Sequence, residues 1–361
     1  VARSPLEALS AASRGWFEAA LGEPTAVQAL AYPALAAGQS AVLLAPTGSG
    51  KTLAAFLVAL DGLLFGPEPA HRGVRVLYVS PLKALGADVE RNLRAPLAGL
   101  VAHAERLGVA HQPVRVALRT GDTPAAERAR IARDPPEILI TTPESLHLML
   151  TSQARAVLAS VDTLIVDEIH VLVGTKRGAH LLGSLERLEA LRRTAREGAP
   201  SLQRIGCSAT VRPAALVAAT LGGIDPATRA ARSVAILQDA TKKELRLRVE
   251  LPPGWGDRAA RPPAAPGERT QGGLWQALAP RLVELVRSHR STMVFVNSRR
   301  VAERVAHAIC EHAGEELALA HHGSLSRERR GEIEALFQSG SLRALVATSS
   351  LELGIDVGSV E

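Results

Sequence analysis

Cysteine is nearly absent, with only Cys207 and Cys310 in 361 residues. Two thiols exclude a disulfide framework and a cysteine-rich zinc site. Such usage fits a reducing compartment, and a cytoplasmic protein is the expectation. Aromatic residues make up only 3%, so base stacking is not expected to dominate any contact with nucleic acid. Lysine is scarce as well: Lys51, Lys83, Lys176, Lys242 and Lys243 are the five among 42 cationic residues. Long apolar runs are missing. None approaches the ~18 residues of a membrane span, and Arg3, Glu7, Arg14 and Glu18 interrupt the opening segment, which excludes a signal peptide. No repeat of 20–50 residues is present. Val1 stands where an initiator methionine would, which suggests a trimmed chain.

What is present is globular. Apolar residues reach 47% and the net charge is +6, a mild basic excess that by itself says little about nucleic acid. Short β-branched runs at 41–44, 74–80, 138–141, 164–166 and 204–207 read as buried strands. Helical stretches at 52–64, 82–106, 143–150 and 177–193 alternate with them. This order predicts an α/β fold with a parallel sheet covered on both faces. Ligands in such sheets sit at the carboxyl ends of the strands. Pro252–Gly273 is rich in proline and glycine and reads as a linker. Strands at 292–296 and 342–347, with helices near 299–311 and 326–338, mark a second, shorter lobe. The predicted domains are therefore 1–222, a connecting segment 223–273, and 274–361. The last is expected to be incomplete, with the native protein continuing past Glu361.

Ala45–Thr52 reads APTGSGKT between a strand and a helix. Gly48 and Gly50 let the backbone curl so that N–H groups of the loop, which includes Thr47 and Ser49, face a phosphate. The helix start favours the same anion. Lys51 would reach the terminal phosphates of a nucleotide and the Thr52 hydroxyl would hold Mg²⁺. Asp167 and Glu168 follow a strand. Such an aspartate can hold Mg²⁺, and such a glutamate can orient an attacking water. Ser208 and Thr210 follow another strand and could bond near Asp167 and His170. The Gln28 amide could read the adenine edge. Loops at 80–83, 120–123 and 141–144 expose hydroxyls and helix starts, which are phosphate partners for a nucleic acid or ordinary caps. Pro81, Lys83, Gly121, Thr142 and Pro143 belong to them, and Lys176 with Arg177 forms a further basic candidate. His321-His322 lacks ligand spacing to a third metal-binding residue. The acids of 311–316 read as a solvated face, and Arg327–Arg330 as a solvated helix face or a phosphate contact.

Together these strings resemble the superfamily 2 helicases, and most closely the large helicase-related (Lhr) family. The resemblance is carried by APTGSGKT, SPLKALGAD at Ser80–Asp88, TTPESL at Thr141–Leu146, VDEIHVLVGTKRGAHL from Val166, SAT, VFVNSRR at Val294–Arg300, HHGSLSRERR at His321–Arg330 and ATSSLELGIDVGSVE at Ala347–Glu361. The acidic box is DEIH, and Ala45 stands where the strict phosphate loop has glycine.

The resemblance implies two RecA-like lobes with ATP and Mg²⁺ between them, and 3′ to 5′ movement on single-stranded DNA. It assigns phosphate binding to Lys51 and Thr52, Mg²⁺ to Thr52 and Asp167, base catalysis to Glu168, adenine to Gln28, and coupling to His170, Ser208 and Thr210. Asn297, Ser298, Arg299, Thr348 and Ser349 would face DNA from the second lobe. Gly354 and Asp356 would reach the nucleotide from it. The Q-x-x-GR-x-GR-like arginine-finger segment of the family does not occur in these 361 residues. Such an arginine supplies ~10³–10⁵ in rate, so this chain alone is expected to hydrolyse ATP poorly. The expected activity is an ATP-dependent DNA helicase or translocase in repair, acting on single strands or on duplexes with a 3′ tail. Protein partners are not legible, and a monomer is expected. An RNA or RNA–DNA hybrid remodeller, or a nucleotide-gated binding module, would carry the same motifs. A small-molecule kinase would explain nothing after Thr210.

Overall fold

The computed structural model describes residues 4–46, 48–68, 72–209, 211–239, 247–251 and 271–348. Thr47, Thr210, Ser349, Gly354, Asp356 and the linker span 252–270, all singled out in the sequence, lie outside the described residues. The chain divides into two compact units, Val1–Lys242 and Lys243–Glu361.

The first unit is built on seven strands: β1 (Ala41–Leu44), β2 (Val76–Val79), β3 (Val116–Arg119), β4 (Ile138–Thr141), β5 (Thr163–Val166), β6 (Gln203–Ser208) and β7 (Ala235–Gln238). They lie in the order β3-β4-β2-β5-β6-β1-β7, and every pairing is parallel. Its helices are α1 (Ala11–Leu21), α2 (Ala26–Ala36), α3 (Lys51–Phe65), α4 (Lys83–Arg106), α5 (Ala125–Arg133), α6 (Pro143–Leu150), α7 (Ile169–Leu172), α8 (Lys176–Ala195) and α9 (Ala214–Gly222). The central strands β1, β2 and β4 are buried at every position, which is why they are apolar throughout instead of alternating. Successive residues still point to opposite faces. Leu43, Tyr78, Ile140 and Ile165 join one core with α1 to α4. Val42, Leu44, Val79, Leu164 and Val166 join another with α6, α8 and α9.

The expected strands and helices appear at their places, with ends shifted by a few residues. Three strands are faint in the sequence: β3 is implied only by the loop 120–123 that follows it, and β7 and one strand of the second unit were not expected. β3 and β7 are the sheet edges and are only partly buried, so neither carries a solid apolar run. β7 carries the first unit past residue 222, because it pairs with β1 from Ala41↔Ala235 to Leu44↔Gln238.

The second unit holds α10 (Gln271–Ser288), β8 (Thr292–Phe295), α11 (Arg299–Ala313), β9 (Ala318–His321), α12 (Arg327–Gln338) and β10 (Ala344–Ala347). Among the described residues its sheet has three parallel strands in the order β8-β10-β9. β9, like β7, was not expected from the sequence. One face packs Val286, Val305 and Ile309; the other packs Ile333, Phe337 and Leu345. Ser298 caps α11 at its start, and Gly314 ends it in the left-handed conformation, a common helix stop. α10 starts at Gln271, so the last three residues of the expected linker are helical. Both units have the RecA-like parallel α/β architecture. No described helix is long and apolar enough to cross a membrane.

Candidate functional site

Because every strand of the first sheet runs the same way, their carboxyl ends share one edge. The strand order then sorts the motif loops along that edge. Gly48–Gly50 and Lys51 follow β1, Asp167-Glu168 follow β5, and Ser208 closes β6. The loops after β2, β3 and β4 hold Pro81, Gly121 and Thr142. The residues expected to meet a nucleotide thus lie along one half of the edge, and those expected to meet a nucleic acid lie along the other.

The phosphate loop begins at Ala45, whose N–H donates to the Ser208 carbonyl at 3.3 Å. Gly48 and Gly50 adopt φ of 76° and 83°, the left-handed region open to glycine. A Cβ on Gly50 would come within 2.5 Å of Gln28 Nε2. α3 then starts at Lys51, whose buried ammonium donates to the carbonyls of Ala45 at 2.7 Å and Pro46 at 2.8 Å. The buried Ser49 hydroxyl has no partner among the described residues. A curled backbone, a lysine folded onto its own loop and an unsatisfied hydroxyl fit a nucleotide phosphate. Thr52 is the next residue of α3, half-buried.

Gln28 is buried against this loop. Thr25 and Gln28 form a reciprocal capping box at the start of α2. Gln28 Oε1 accepts from the Thr25 N–H at 2.9 Å, and Nε2 donates to the Gly50 carbonyl at 3.4 Å. The Thr25 hydroxyl donates to the Ser49 carbonyl at 2.8 Å. Thr25 is therefore part of the site although the sequence reading passed over it. Its signal was the T-x-x-Q spacing.

Asp167 extends the β5 ladder, its N–H donating to the Val79 carbonyl at 2.9 Å. One carboxylate oxygen accepts the Glu168 N–H at 3.0 Å, and the other accepts the hydroxyl of Tyr78. Burial pushes the Asp167 carboxyl above its ordinary value, against the Tyr78 bond and the charge of Lys51. Burial, with the charge of Asp167, also raises Glu168. Glu168 holds φ of 44°, which is uncommon for a residue with a side chain. His170 Nδ1 lies 3.3 Å from a Glu168 oxygen and 3.2 Å from the Ser208 hydroxyl. Burial and then Lys51 lower its pKa, so it is neutral near pH 7. Asp167, Glu168, His170 and Ser208 are thus brought together, as expected.

The nucleic-acid candidates are less uniform. Thr142 is buried and caps α6, its hydroxyl accepting from the Ser145 N–H at 3.4 Å, with Pro143 the first helical residue. Pro81 is buried, and Lys83 opens α4. Gly121 is exposed and its carbonyl accepts from Arg128 at 2.6 Å. Lys176 is exposed at the start of α8. Arg177 pairs with both oxygens of Glu144 at 2.5 and 3.0 Å, so its guanidinium braces α8 against α6. In the second unit Asn297, Ser298 and Arg299 are exposed. Arg299 donates to the Ser324 hydroxyl at 2.5 Å, a partner the sequence did not suggest. The half-buried Thr348 donates its N–H to the His321 carbonyl at 3.3 Å. His321 and His322 each meet a glutamate, Glu334 at 2.9 Å and Glu303 at 2.8 Å. Arg329 pairs with Glu332 at the surface.

Residues 25–217 match the DEAD/DEAH box helicase model, and residues 277–361 match the helicase conserved C-terminal domain. The chain belongs to the DEAD/DEAH box helicase family. Within that family it is similar to the Lhr helicases. It is 45% identical over 390 aligned positions to the Lhr helicase/probable uracil glycosylase of Mycolicibacterium smegmatis, covering 99% of this chain and 24% of that protein. It is 37% identical over 358 positions to the ATP-dependent helicase Lhr-Core of Methanocaldococcus jannaschii, covering 98% of this chain and 40% of that protein. The solved structure of Mycobacterium smegmatis helicase Lhr bound to single-stranded DNA and AMP-PNP superposes with a TM-score of 0.80 at 47% identity. That match covers 99% of this chain and 44% of the other. The chain therefore spans well under half the length of these relatives.

Proposed function

We propose that this chain is the motor part of an ATP-dependent DNA helicase or translocase that moves 3′ to 5′ on single strands or on duplexes with a 3′ tail, in DNA repair. The observation that carries the reading is the division of one sheet edge. A phosphate loop with Lys51 and an Asp167-Glu168-His170-Ser208 cluster lie at one half, and three helix-starting, phosphate-compatible loops, one of them capped by Thr142, lie at the other. A relative solved with single-stranded DNA and AMP-PNP supports both ligands.

In this reading Gly48–Thr52 cradle the nucleotide phosphates, with Thr47 in the same loop, and Lys51 exchanges its two carbonyl partners for phosphate oxygens. Thr52 and Asp167 would hold Mg²⁺, which when bound offsets the negative charge of the transferred phosphoryl group. Glu168 accepts the proton of the attacking water. Gln28 keeps one amide hydrogen and one oxygen lone pair for adenine while it braces Gly50. His170 and Ser208, with Thr210, link the acidic box to β6 and transmit the nucleotide state. Pro81, Lys83, Gly121, Thr142, Pro143 and Lys176 grip a nucleic-acid backbone through helix starts and charge. Arg177 would contribute after releasing Glu144. From the second unit, Asn297, Ser298, Arg299, Thr348 and Ser349 contact the strand, and Gly354 and Asp356 reach the nucleotide. Without the Q-x-x-GR-x-GR segment this chain hydrolyses ATP weakly by itself.

The test is phosphate release with and without single-stranded DNA, for this chain and for one lengthened as its relatives are. Matched 3′-tailed DNA, RNA and hybrid duplexes would be compared, with Glu168→Gln as control. DNA-stimulated release in the longer form, lost in the control, is expected. A preference for RNA or hybrid would replace DNA as the substrate. Binding of both ligands without any hydrolysis would leave a nucleotide-gated module.

A further inference from the structure

Asp167 and the phosphate loop come from strands separated by β6, so something must keep the carboxylate in register with the loop's helix. The fully buried Tyr78 spans that gap. Its ring stacks on Phe56 of α3, with centroids 5.0 Å apart and planes at 25°. Its hydroxyl donates to Asp167 Oδ2. The other oxygen, Oδ1, accepts the Glu168 N–H at 3.0 Å, and the Asp167 N–H is tied to the β2 carbonyl of Val79 at 2.9 Å. Both oxygens thus have one donor each, which sets the plane of the carboxylate and leaves a lone pair on each. Phenylalanine would fill the same volume between Phe56 and the sheet. Only the hydroxyl distinguishes tyrosine, and it is spent on this one carboxylate. The chain has one other tyrosine, Tyr32. It is equally buried, and its hydroxyl has no partner among the described residues, so burial alone does not bring a tyrosine hydroxyl to an acid here.

We propose that Tyr78 is a positioning residue for the metal-binding carboxylate: its hydroxyl holds Asp167 in the orientation that receives the Mg²⁺ of a bound nucleotide, and its ring ties that carboxylate to the phosphate-loop helix through Phe56. The proposal rests on the reading of Asp167 as the Mg²⁺ residue. Hydrogen-bond partners of metal-binding side chains typically contribute 10–100-fold to metal affinity.

The experiment is a fluorescent-ADP titration of the wild-type chain, Tyr78→Phe, Asp167→Asn and the double variant, each across a series of Mg²⁺ concentrations including none. Thermal unfolding of every variant is followed alongside. Tyr78→Phe is expected to raise the Mg²⁺ midpoint about tenfold, with Mg²⁺-free affinity unchanged and a cooperative melt. In the Asp167→Asn background the same change is expected to add nothing. An unchanged midpoint overturns the proposal. So does an equal loss without Mg²⁺ or in the Asp167→Asn background, since a merely structural tyrosine would behave that way. If wild-type affinity ignores Mg²⁺, or Asp167→Asn leaves the midpoint in place, the Mg²⁺ reading itself falls and takes the proposal with it.

Discussion

At the scale of single residues, the site depends on backbone conformations and charges that few side chains tolerate. Gly50→Ala would put a Cβ into the left-handed region, at a cost of roughly 1–2 kcal/mol, and within 2.5 Å of Gln28 Nε2. Nucleotide affinity should fall about tenfold, the equivalent of ~1.4 kcal/mol; calorimetric titration reads this directly, and an unchanged Kd would mean that the loop is reshaped on binding. Glu168 carries a pKa above the ordinary glutamate value of 4.5, first through burial and then through the charge of Asp167. The base form is the deprotonated one. Activity limited by Glu168 should therefore fail on acidification at a higher pH than an ordinary glutamate would give. Glu168→Gln should lower phosphate release by ~10²–10⁴ and remove that limb, with nucleotide binding retained.

Between elements, the same kind of pair has different weight according to burial. Arg177 and Glu144 join α8 to α6 at the surface. Exposed pairs contribute about 0–1 kcal/mol, so Arg177→Ala should leave stability within about 1 kcal/mol. If Arg177 also meets a phosphate, the variant should bind single-stranded DNA less tightly and reduce the salt slope by about 1. An unchanged slope would restrict Arg177 to bracing. At the opposite edge of the sheet, Glu189 is enclosed with Arg192 and Arg204, at 3.6 and 3.9 Å. Removing one partner of a buried set leaves an uncompensated charge, so Glu189→Ala should cost about 3–5 kcal/mol in denaturant unfolding. Nearby, Asp162 accepts from Arg75 at 2.5 Å and Arg196 at 2.9 Å. Burial there works to raise its pKa, but the two arginines outweigh it and hold the carboxyl below 3.8. A depressed folded pKa stabilises the fold above the unfolded value and loses that contribution as pH falls through the folded one. Asp162→Asn should flatten the acid limb of the stability curve below about pH 4.

For the whole molecule, the extent of the first unit is the testable feature. Lys51, Asp167 and Glu168 all lie within Val1–Lys242, which has its own cores. A protein of residues 1–242 should melt cooperatively and bind nucleotide. Ending it at residue 222 removes β7 and uncovers the edge of β1. Open sheet edges template aggregation, so that shorter version should be less stable and associate on gel filtration; equal behaviour of the two would make β7 dispensable. Nucleic-acid affinity of the intact chain should fall linearly on a log–log plot with salt, with a slope of about −0.7 per phosphate contact on a single strand.

The contiguous strings settle the local chemistry of this protein. A glycine-rich turn before Lys51, acids after an apolar strand, and fully apolar strands alternating with helices each act over a few neighbouring residues, so they are legible without a fold. Contiguity also explains why Glu168, His170 and Ser208, which the structure brings together, were legible as candidates: each lies at or just past the end of a strand that announces itself. The tertiary structure alone decided what depends on strand order. β3, β7 and β9 take their place from a neighbour's backbone more than from their own pattern. Gln28 meets Gly50 across 22 residues, and Tyr78 meets Asp167 across 89. Nothing local marks such partners, because a buried tyrosine in a strand looks like any other core residue until the sheet order brings an acid to its hydroxyl. The same order separates the loops proposed for nucleotide from those proposed for nucleic acid along one edge, an arrangement that chain order, which interleaves them, conceals.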